Sequence, residues 1–247
     1  MSEKRKKLIV TRYNPESDTA PRTQVYEVPY EDDTRVLDAL NYIKDVEDGT
    51  LTYRSSCQMG VCGSCGMNVN GTPRLTCATF LRDFEGDITV EPLGNFPVMR
   101  DLAVNMSDFM EKLTRVKPWI IREKEKPLDE GEYLQTPEQL QAYRQFSLCI
   151  NCMLCYAACP VYGKEKDFVG PAAIALAHRY NEDSRDEGRA ERNAFVGSTT
   201  GVWECTFVGE CSEVCPEGVD PAAAIQREKL SNAVDKLKSF ILPWGKK

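Results

Sequence analysis

The cysteines constrain this chain more than any other feature. Eleven are present, in three tight groups. Cys57, Cys62, Cys65 and Cys77 form the first. Cys149, Cys152, Cys155 and Cys159 form the second, followed by Pro160. Cys205, Cys211 and Cys215 form the third, followed by Pro216, with Val208 where a fourth would complete the pattern. The first spacing, Cys-x4-Cys-x2-Cys and a distant Cys, is that of a plant-type 2Fe–2S site. The other two are versions of Cys-x2-Cys-x2-Cys-x3-Cys-Pro, the bacterial two-cluster pattern.

Disulfides are a poor explanation for this set, because an odd count cannot pair completely. The start, MSEKRKKLIV, carries charge without the following apolar segment of a signal peptide. No apolar stretch reaches the roughly 20 residues that cross a bilayer. A reducing, cytoplasmic type of compartment is therefore expected, where short repeated cysteine spacings read as metal ligands. The net charge of −7 argues against nucleic acid as a partner, and the basic run from Lys4 to Lys7 reads as a solvated tail.

At 247 residues the chain suffices for two domains. Residues 1–105 hold short β-type runs (LIVTRY, TQVYEV, GMNV, ITVEP) and one helical stretch, with Thr34 as its expected cap and Val36, Leu37, Leu40 and Ile43 on one face. Asn70-Gly71 marks a type I′ hairpin. Residues 106–247 read as helices joined by cysteine loops. Ser107 is placed to cap a helix carrying Met110, Leu113 and Val116. Thr136-Pro137-Glu138-Gln139 combines cap, proline and capping-box glutamine. Gly170-Pro171 and Asp220-Pro221 open later helices, and the stretch from Arg122 to Gly131 reads as an exposed linker. The fold class expected is α+β in the first domain, followed by an all-α second domain.

The loop SSCQMGVCGSCG spaces its cysteines with Gly60, Gly63 and Gly66. Glycine tolerates positive φ and so brings backbone N–H groups near the sulfurs, where they tune a cluster's potential. Cys77 closes this 2Fe–2S site. The gap from Cys65 to Cys77 is shorter than in free plant ferredoxins, so the match is to the ligand type. A four-cysteine zinc site is the alternative, less well served by glycine-padded spacing. In the two-cluster arrangement each motif's first three cysteines bind one cluster and its fourth crosses to the other. Cys149, Cys152, Cys155 and Cys215 then hold a 4Fe–4S centre. Cys159, Cys205 and Cys211 remain, and the isopropyl group of Val208 binds no iron, so the third centre is expected to be 3Fe–4S.

Three centres suit a one-electron relay, because tunnelling weakens steeply with distance and a long transfer must be divided into hops. No other feature points to bond-making chemistry. His178 reads as a packing residue, and no Gly-x-Gly-x-x-Gly opens a helix after a strand. Any catalytic site lies on another chain.

The segments RYNPE, YEVPY, VLDALNYIKD, RSSCQMGVCGSCGM, NFPVMRDL, CINCMLCYAACP, GPAAIALAHRYNEDSRD and CTFVGECSEVCP together resemble the iron–sulfur subunits of fumarate reductase and succinate dehydrogenase along nearly the whole chain. The resemblance implies an N-terminal β-grasp 2Fe–2S domain and a helical dicluster domain. It implies docking between a flavoprotein with covalent FAD and one or two membrane-anchor subunits that bind quinone, at the cytoplasmic face of a bacterial inner membrane. Succinate:ubiquinone members typically carry a tryptophan aligned to Lys164 and a histidine directly after the first cysteine of the third group, where this chain has Thr206. The resemblance is therefore closer to menaquinol-oxidising fumarate reductases, with succinate oxidation as the alternative direction. The stretch DPAAAIQREK is similar to the family segment that reaches the quinone, making Gln226 and Lys229 candidate contacts. A free soluble ferredoxin and a zinc-structured binding module are the rival readings.

Overall fold

A computed structural model describes residues 4–241. Its contacts divide the chain into two compact units. One holds residues through Ser107 together with Ile150–Ala158; the other holds Asp108–Cys149 together with the chain from Cys159 onward.

In the first unit, β1 (Arg5–Arg12) pairs antiparallel with β2 (Arg22–Pro29), Leu8 opposite Tyr26. Helix α1 (Val36–Tyr42) follows and runs into a π-helical turn, Ile43–Glu47. Strands β3 (Gly66–Val69) and β4 (Thr72–Leu75) form a hairpin through Asn70 and Gly71, whose φ values of 48° and 77° are those of a type I′ turn. Strand β5 (Ile88–Glu91) lies between, parallel to β1, giving a mixed sheet of order β2-β1-β5-β3-β4. A small ribbon, β6 (Val98–Arg100) and β7 (Ala103–Val104), completes the unit's strands. Alternation along β1 turns Leu8 and Val10 inward against Tyr26, Val28, Val36, Leu40 and Val90. The cap of α1 differs from expectation. Arg35 occupies it and its N–H donates to the Asp38 carboxylate, while the Thr34 hydroxyl accepts from Glu31 N.

The inward alternation also delivers Arg12, which is 4% exposed. Its guanidinium is satisfied by Asp101 (3.0 Å), Tyr26 Oη (2.6 Å), Thr50 Oγ1 (2.7 Å) and Asp48. Asp101 also accepts from the N–H groups of Tyr13 and Thr52, each at 2.9 Å. The end of β1 is thereby tied to the backbone that enters the first cysteine loop, an arrangement that fixes the loop's root.

Helix α2 (Ser107–Arg115) leads the second unit, and its buried side is Phe109, Lys112 and Leu113, with Met110 half exposed. The expected stripe was therefore out by one position at Met110. Ser107 lies inside the helix, and its N–H donates to the Asn105 side chain. Residues 122–135 have little regular structure beyond a short 3-10 turn, Leu128–Glu130. Helix α3 (Pro137–Tyr143) starts with the expected reciprocal cap between Thr136 and Gln139. The remaining helices are α4 (Leu154–Ala157, grouped with the first unit), α5 (Pro160–Lys164), α6 (Pro171–Asn181), α7 (Arg189–Val196), α8 (Glu210–Glu213) and α9 (Pro221–Ile241). Every residue of α6 from Pro171 to His178 is buried, which marks it as the central helix, packed on α9. Its alanines, at 172, 173, 175 and 177, keep that approach close. The α6–α9 pair encloses His178, whose Nδ1 lies 2.7 Å from Glu228 Oε1 and whose ring meets Phe146 edge-on.

The enclosed ion pair between Arg192 and Asp186 gives a stability prediction. The Arg192 side chain is fully buried and donates to both Asp186 carboxylate oxygens, at 2.6 and 2.8 Å, while Ile121 N donates to the same carboxylate. Asp186→Ala strands the guanidinium and is expected to cost about 3–5 kcal/mol, read as a lower denaturant midpoint under anaerobic conditions. Burial alone would raise the Asp186 pKa. The hydrogen bonds from Arg192 and from the Ile121 and Gly188 amides outweigh it and hold the carboxyl below its ordinary value. The stabilisation is thus present above the unfolded-state pKa of about 4 and lost as pH falls through the lower folded value.

Candidate iron–sulfur centres

The first site is a loop whose backbone turns toward its own sulfurs. Gln58, Gly60 and Gly63 have φ values of 58°, 80° and 71°. In consequence Cys57 N and Ser64 N both donate to Cys62 Sγ at 3.5 Å, Met59 N donates to Cys57 Sγ at 3.4 Å, and Cys77 N donates to Cys65 Sγ at 3.5 Å. Those backbone bonds pull the Cys62 thiol down to about 6. Cys65 and Cys77 are buried, and burial raises the Cys77 thiol. Arg35 braces the outer side through the Gln58 carbonyl at 2.9 Å. Four soft thiolate donors with N–H groups directed at sulfur form the donor set that a 2Fe–2S cluster needs.

This loop packs against the second cysteine loop within the first unit. A Cβ on Gly63 would meet Cys152 Cα at 2.8 Å and Ile150 O at 2.9 Å, whereas one on Gly60 would meet nothing within 4 Å. Asn95 Nδ2 holds the same segment by donating to the Tyr156 and Ala157 carbonyls, both at 2.9 Å. The contrast between the two glycines yields a prediction. Gly60→Ala carries only the cost of positive φ, about 1–2 kcal/mol, and should keep the visible absorption of the first site. Gly63→Ala adds a backbone collision and should lose most of that absorption in the purified protein.

The second and third cysteine groups are conformational repeats. Cys149 follows a 3-10 turn with φ −63°, ψ 120°, and Cys205 follows another with φ −64°, ψ 122°. Two residues on, Asn151 and Phe207 have φ of 57° and 59°; four residues on, Met153 and Gly209 have 67° and 93°. A short helix then begins in each case, α4 and α8. By this repeat Val208 occupies the position of Cys152, and Cys211 and Cys215 those of Cys155 and Cys159.

Cys159, Cys205 and Cys211 line one cavity with Val208, Phe168, Thr206 and Ile225. Burial pushes the Cys211 thiol up to about 12, reinforced by its neighbours Cys159 and Cys205, and burial raises Cys159 as well. Sulfurs so placed release their protons when a cation takes them. Thr206 and Glu210 are the polar members of an otherwise largely apolar wall, and the three-thiolate set fits an iron–sulfur core with one corner ligand missing. Among the described residues, no three His, Cys, Asp or Glu side chains are grouped as ligands of a single ion. Cys149 and Cys215 pack against one apolar cluster, Phe146, Ala175, Val219 and Ala224.

Gln226 and Lys229 share a face of α9. Lys229 Nζ donates to the Cys205 carbonyl at 2.7 Å, and Gln226 Nε2 is buried with no hydrogen-bond partner among the described residues. Exposed apolar side chains in the third loop are Trp203, Phe207 and Val208, interspersed with the exposed polar Thr206, Glu210 and Glu213. No helix among the described residues is long and apolar enough to cross a membrane. Sequence reasoning missed Arg35, whose guanidinium bonds the Gln58 carbonyl inside the first loop.

A family model described as a 2Fe-2S iron-sulfur cluster binding domain matches residues 7–111, and one described as a 4Fe-4S dicluster domain matches residues 145–219. The chain is 59% identical over 237 residues to the fumarate reductase iron-sulfur subunit of Mycobacterium tuberculosis, which covers 96% of each chain. It is 57% identical over 237 residues to that of Escherichia coli O6:H1, covering 96% of this chain and 97% of the relative. Among solved structures, a chain of the Mycobacterium smegmatis Sdh1 complex in the apo form matches with a TM-score of 0.84 at 29% identity, covering 96% of this chain and 98% of that one.

Proposed function

The chain belongs to the family of fumarate reductase and succinate dehydrogenase iron–sulfur subunits, and from that premise we propose that it relays electrons from menaquinol at a membrane anchor to FAD in a flavoprotein that reduces fumarate. The observation that carries this reading is the repeat that puts Val208 at the position of Cys152. It supports a three-thiolate centre at the end of the chain where Lys229 and the apolar side chains lie. When bound, the three clusters supply one-electron carriers at successive positions. Cys57, Cys62, Cys65 and Cys77 hold the 2Fe–2S group within residues 1–105. Within residues 106–247, Cys149, Cys152, Cys155 and Cys215 hold the 4Fe–4S group and Cys159, Cys205 and Cys211 the 3Fe–4S group. The backbone N–H groups at Cys57, Ser64 and Cys77 favour negative charge on the first site's sulfurs. The subunit sits peripherally, on the cytoplasmic face of the inner membrane, held by its partners.

The direction rests on identity. The fumarate reductase relatives stand at 59% and 57%, and the Sdh1 chain at 29%. Thr206 stands beside the third site, where succinate:ubiquinone members typically carry histidine.

An electron paramagnetic resonance titration of the assembled complex tests this. A 3Fe–4S core is paramagnetic when oxidised, whereas 2Fe–2S and 4Fe–4S cores become so on one-electron reduction. One signal present before reductant and fading as two others grow in is the expected result. A silent oxidised sample, with iron in multiples of two and four only, overturns the three-cluster assignment. Faster turnover with a ubiquinol than with a menaquinol analogue overturns the proposed direction.

A further inference from the structure

Building on the reading of the first group as a 2Fe–2S site, we propose that Arg35 is a positioning residue for that site: through the Gln58–Met59 peptide it aims an N–H donor at Cys57 Sγ and so raises the site's reduction potential. Two hydrogen bonds meet on that one peptide group. Its oxygen, Gln58 O, accepts from Arg35 Nη1 at 2.9 Å, and its N–H, on Met59, donates to Cys57 Sγ at 3.4 Å. The guanidinium therefore holds one end of a rigid planar unit whose other end reaches the sulfur. A cationic donor on the carbonyl also polarises the peptide, which strengthens its N–H as a donor. A cluster on four thiolates takes one electron, supplied by a neighbouring carrier or by a titrant, and gains one negative charge. No proton moves and no ligand bond breaks. An N–H donor on a ligand sulfur favours that more negative form.

The loop has little of its own to hold this peptide. Gln58 has φ of 58°, in the left-handed region that disfavours a residue with a side chain. Gln58, Met59 and Val61 are exposed, Met59 at 71%, so side-chain packing does not fix the turn. Rotation of the peptide would carry the Met59 N–H away from Cys57. Arg35, by contrast, is anchored. Its N–H donates to Asp38 Oδ2 at 2.9 Å where α1 begins. On either side, Val36 N donates to Thr79 O at 2.8 Å and Leu81 N to Thr34 O at 2.9 Å, an antiparallel bridge that sets Arg35 opposite Phe80. Its guanidinium carbon lies 6.0 Å from the Phe80 ring centroid. Phe80 follows Cys77 closely in the chain, so Arg35 ties the segment after one ligand to the segment after another. The residue is half-exposed. Solvent therefore screens its own charge, and its action runs through the peptide.

The test is a redox titration of the first site's paramagnetic signal in the assembled complex, for wild type, Arg35→Ser, Arg35→Asn, Arg35→Lys and Arg82→Ser. Serine and asparagine are favoured N-cap residues, so both keep the start of α1 while removing the guanidinium. Each should lower the reduced-to-oxidised ratio at fixed potential about fivefold, the worth of one hydrogen bond, which is about 40 mV for one electron. Arg35→Lys keeps a cationic donor for the carbonyl and should hold most of the wild-type value. Arg82 is the control for charge. Its guanidinium lies 4.4 Å from the same Phe80 ring, but its Nη1 donates to Asp32 O. Arg82→Ser removes an equal charge beside that ring and leaves Gln58 bonded, so it should change the ratio less than about twofold. Ratios within about twofold of wild type in Arg35→Ser and Arg35→Asn overturn the proposal. An equal shift in Arg82→Ser overturns it, because net charge would then be the cause. So does an equal shift in Arg35→Lys, since a donor to the carbonyl would then be irrelevant. Loss of the signal from both Arg35→Ser and Arg35→Asn, with wild type intact, would make Arg35 a folding residue and overturn its tuning role. Absence of the 2Fe–2S signal from wild type would overturn the reading of the site itself.

Discussion

Val208→Cys is expected to convert the third centre from three irons to four, abolishing the paramagnetic signal of the oxidised protein. The backbone around Val208 already has the conformation of a ligand position, since Phe207 and Gly209 reproduce the left-handed φ values of Asn151 and Met153 around Cys152. The Val208 side chain lines the cavity with Cys159, Cys205 and Cys211, and a cysteine there is smaller than valine, so no overpacking arises. Formal charge does not distinguish the products: three thiolates on a 3Fe core and four on a 4Fe core both total −2 when oxidised and −3 when reduced. The change in potential therefore comes from the cluster type, one of the factors that spread iron–sulfur couples over roughly a volt. A shift on the order of 100 mV or more in the last carrier should slow quinol oxidation strongly, while dye-driven fumarate reduction, which need not use that carrier, declines less. Iron analysis should rise by one per chain. Val208→Ser, with a poor ligand for iron, should keep the wild-type signal. An unchanged signal in Val208→Cys would show that position 208 does not face the vacant corner, and the repeat between the second and third loops would lose its chemical meaning.

The parts of this protein legible in its sequence are those set by local geometry. The Asn70-Gly71 hairpin, the Thr136–Gln139 cap and the proline openings of α6 and α9 each depend on a few consecutive residues, and each forms as expected. The gap at Val208 was visible for the same reason, because cluster-binding loops fix their ligands by offset along the chain. What escaped depends on residues far apart. Arg12 alternates inward on β1 as any strand residue would, but that its position is tolerable follows from Asp101, 89 residues later. His178 was expected only to pack, and its bond to Glu228 spans 50 residues. Residues 150–158 group with the first unit because Gly63 admits the Cys152 backbone and Asn95 bonds the following carbonyls. Nothing local to either segment announces that contact. Met110 was misplaced because Phe109 presents the larger apolar surface one residue earlier and takes the buried position.

Lys229→Ala is expected to lower quinol oxidation about a hundredfold, within the range for removing one preorganised donor from a developing negative charge, with dye-driven fumarate reduction mostly retained. The ammonium has three N–H donors. One is used on the Cys205 carbonyl at 2.7 Å, which anchors the charge beside the third site and leaves two for a quinone oxygen. Gln226, one turn earlier on α9, holds a buried and unpartnered Nε2 among the described residues; Gln226→Leu should weaken quinol binding while leaving the cluster unaltered. The bond to Cys205 raises a competing explanation, that Lys229 acts by bracing a cysteine loop. The two explanations separate in the oxidised protein's resonance. If Lys229 serves the quinone, Lys229→Ala keeps the three-iron signal at full intensity, and Lys229→Arg, which preserves charge and donors, recovers much of the quinol activity. If Lys229 serves the loop, the three-iron signal broadens or disappears, Lys229→Arg restores signal and activity together, and both activities fall where the damaged loop prevents assembly. Equal loss of both activities would remove Lys229 from the quinone site and leave Gln226 without its partner in the reading.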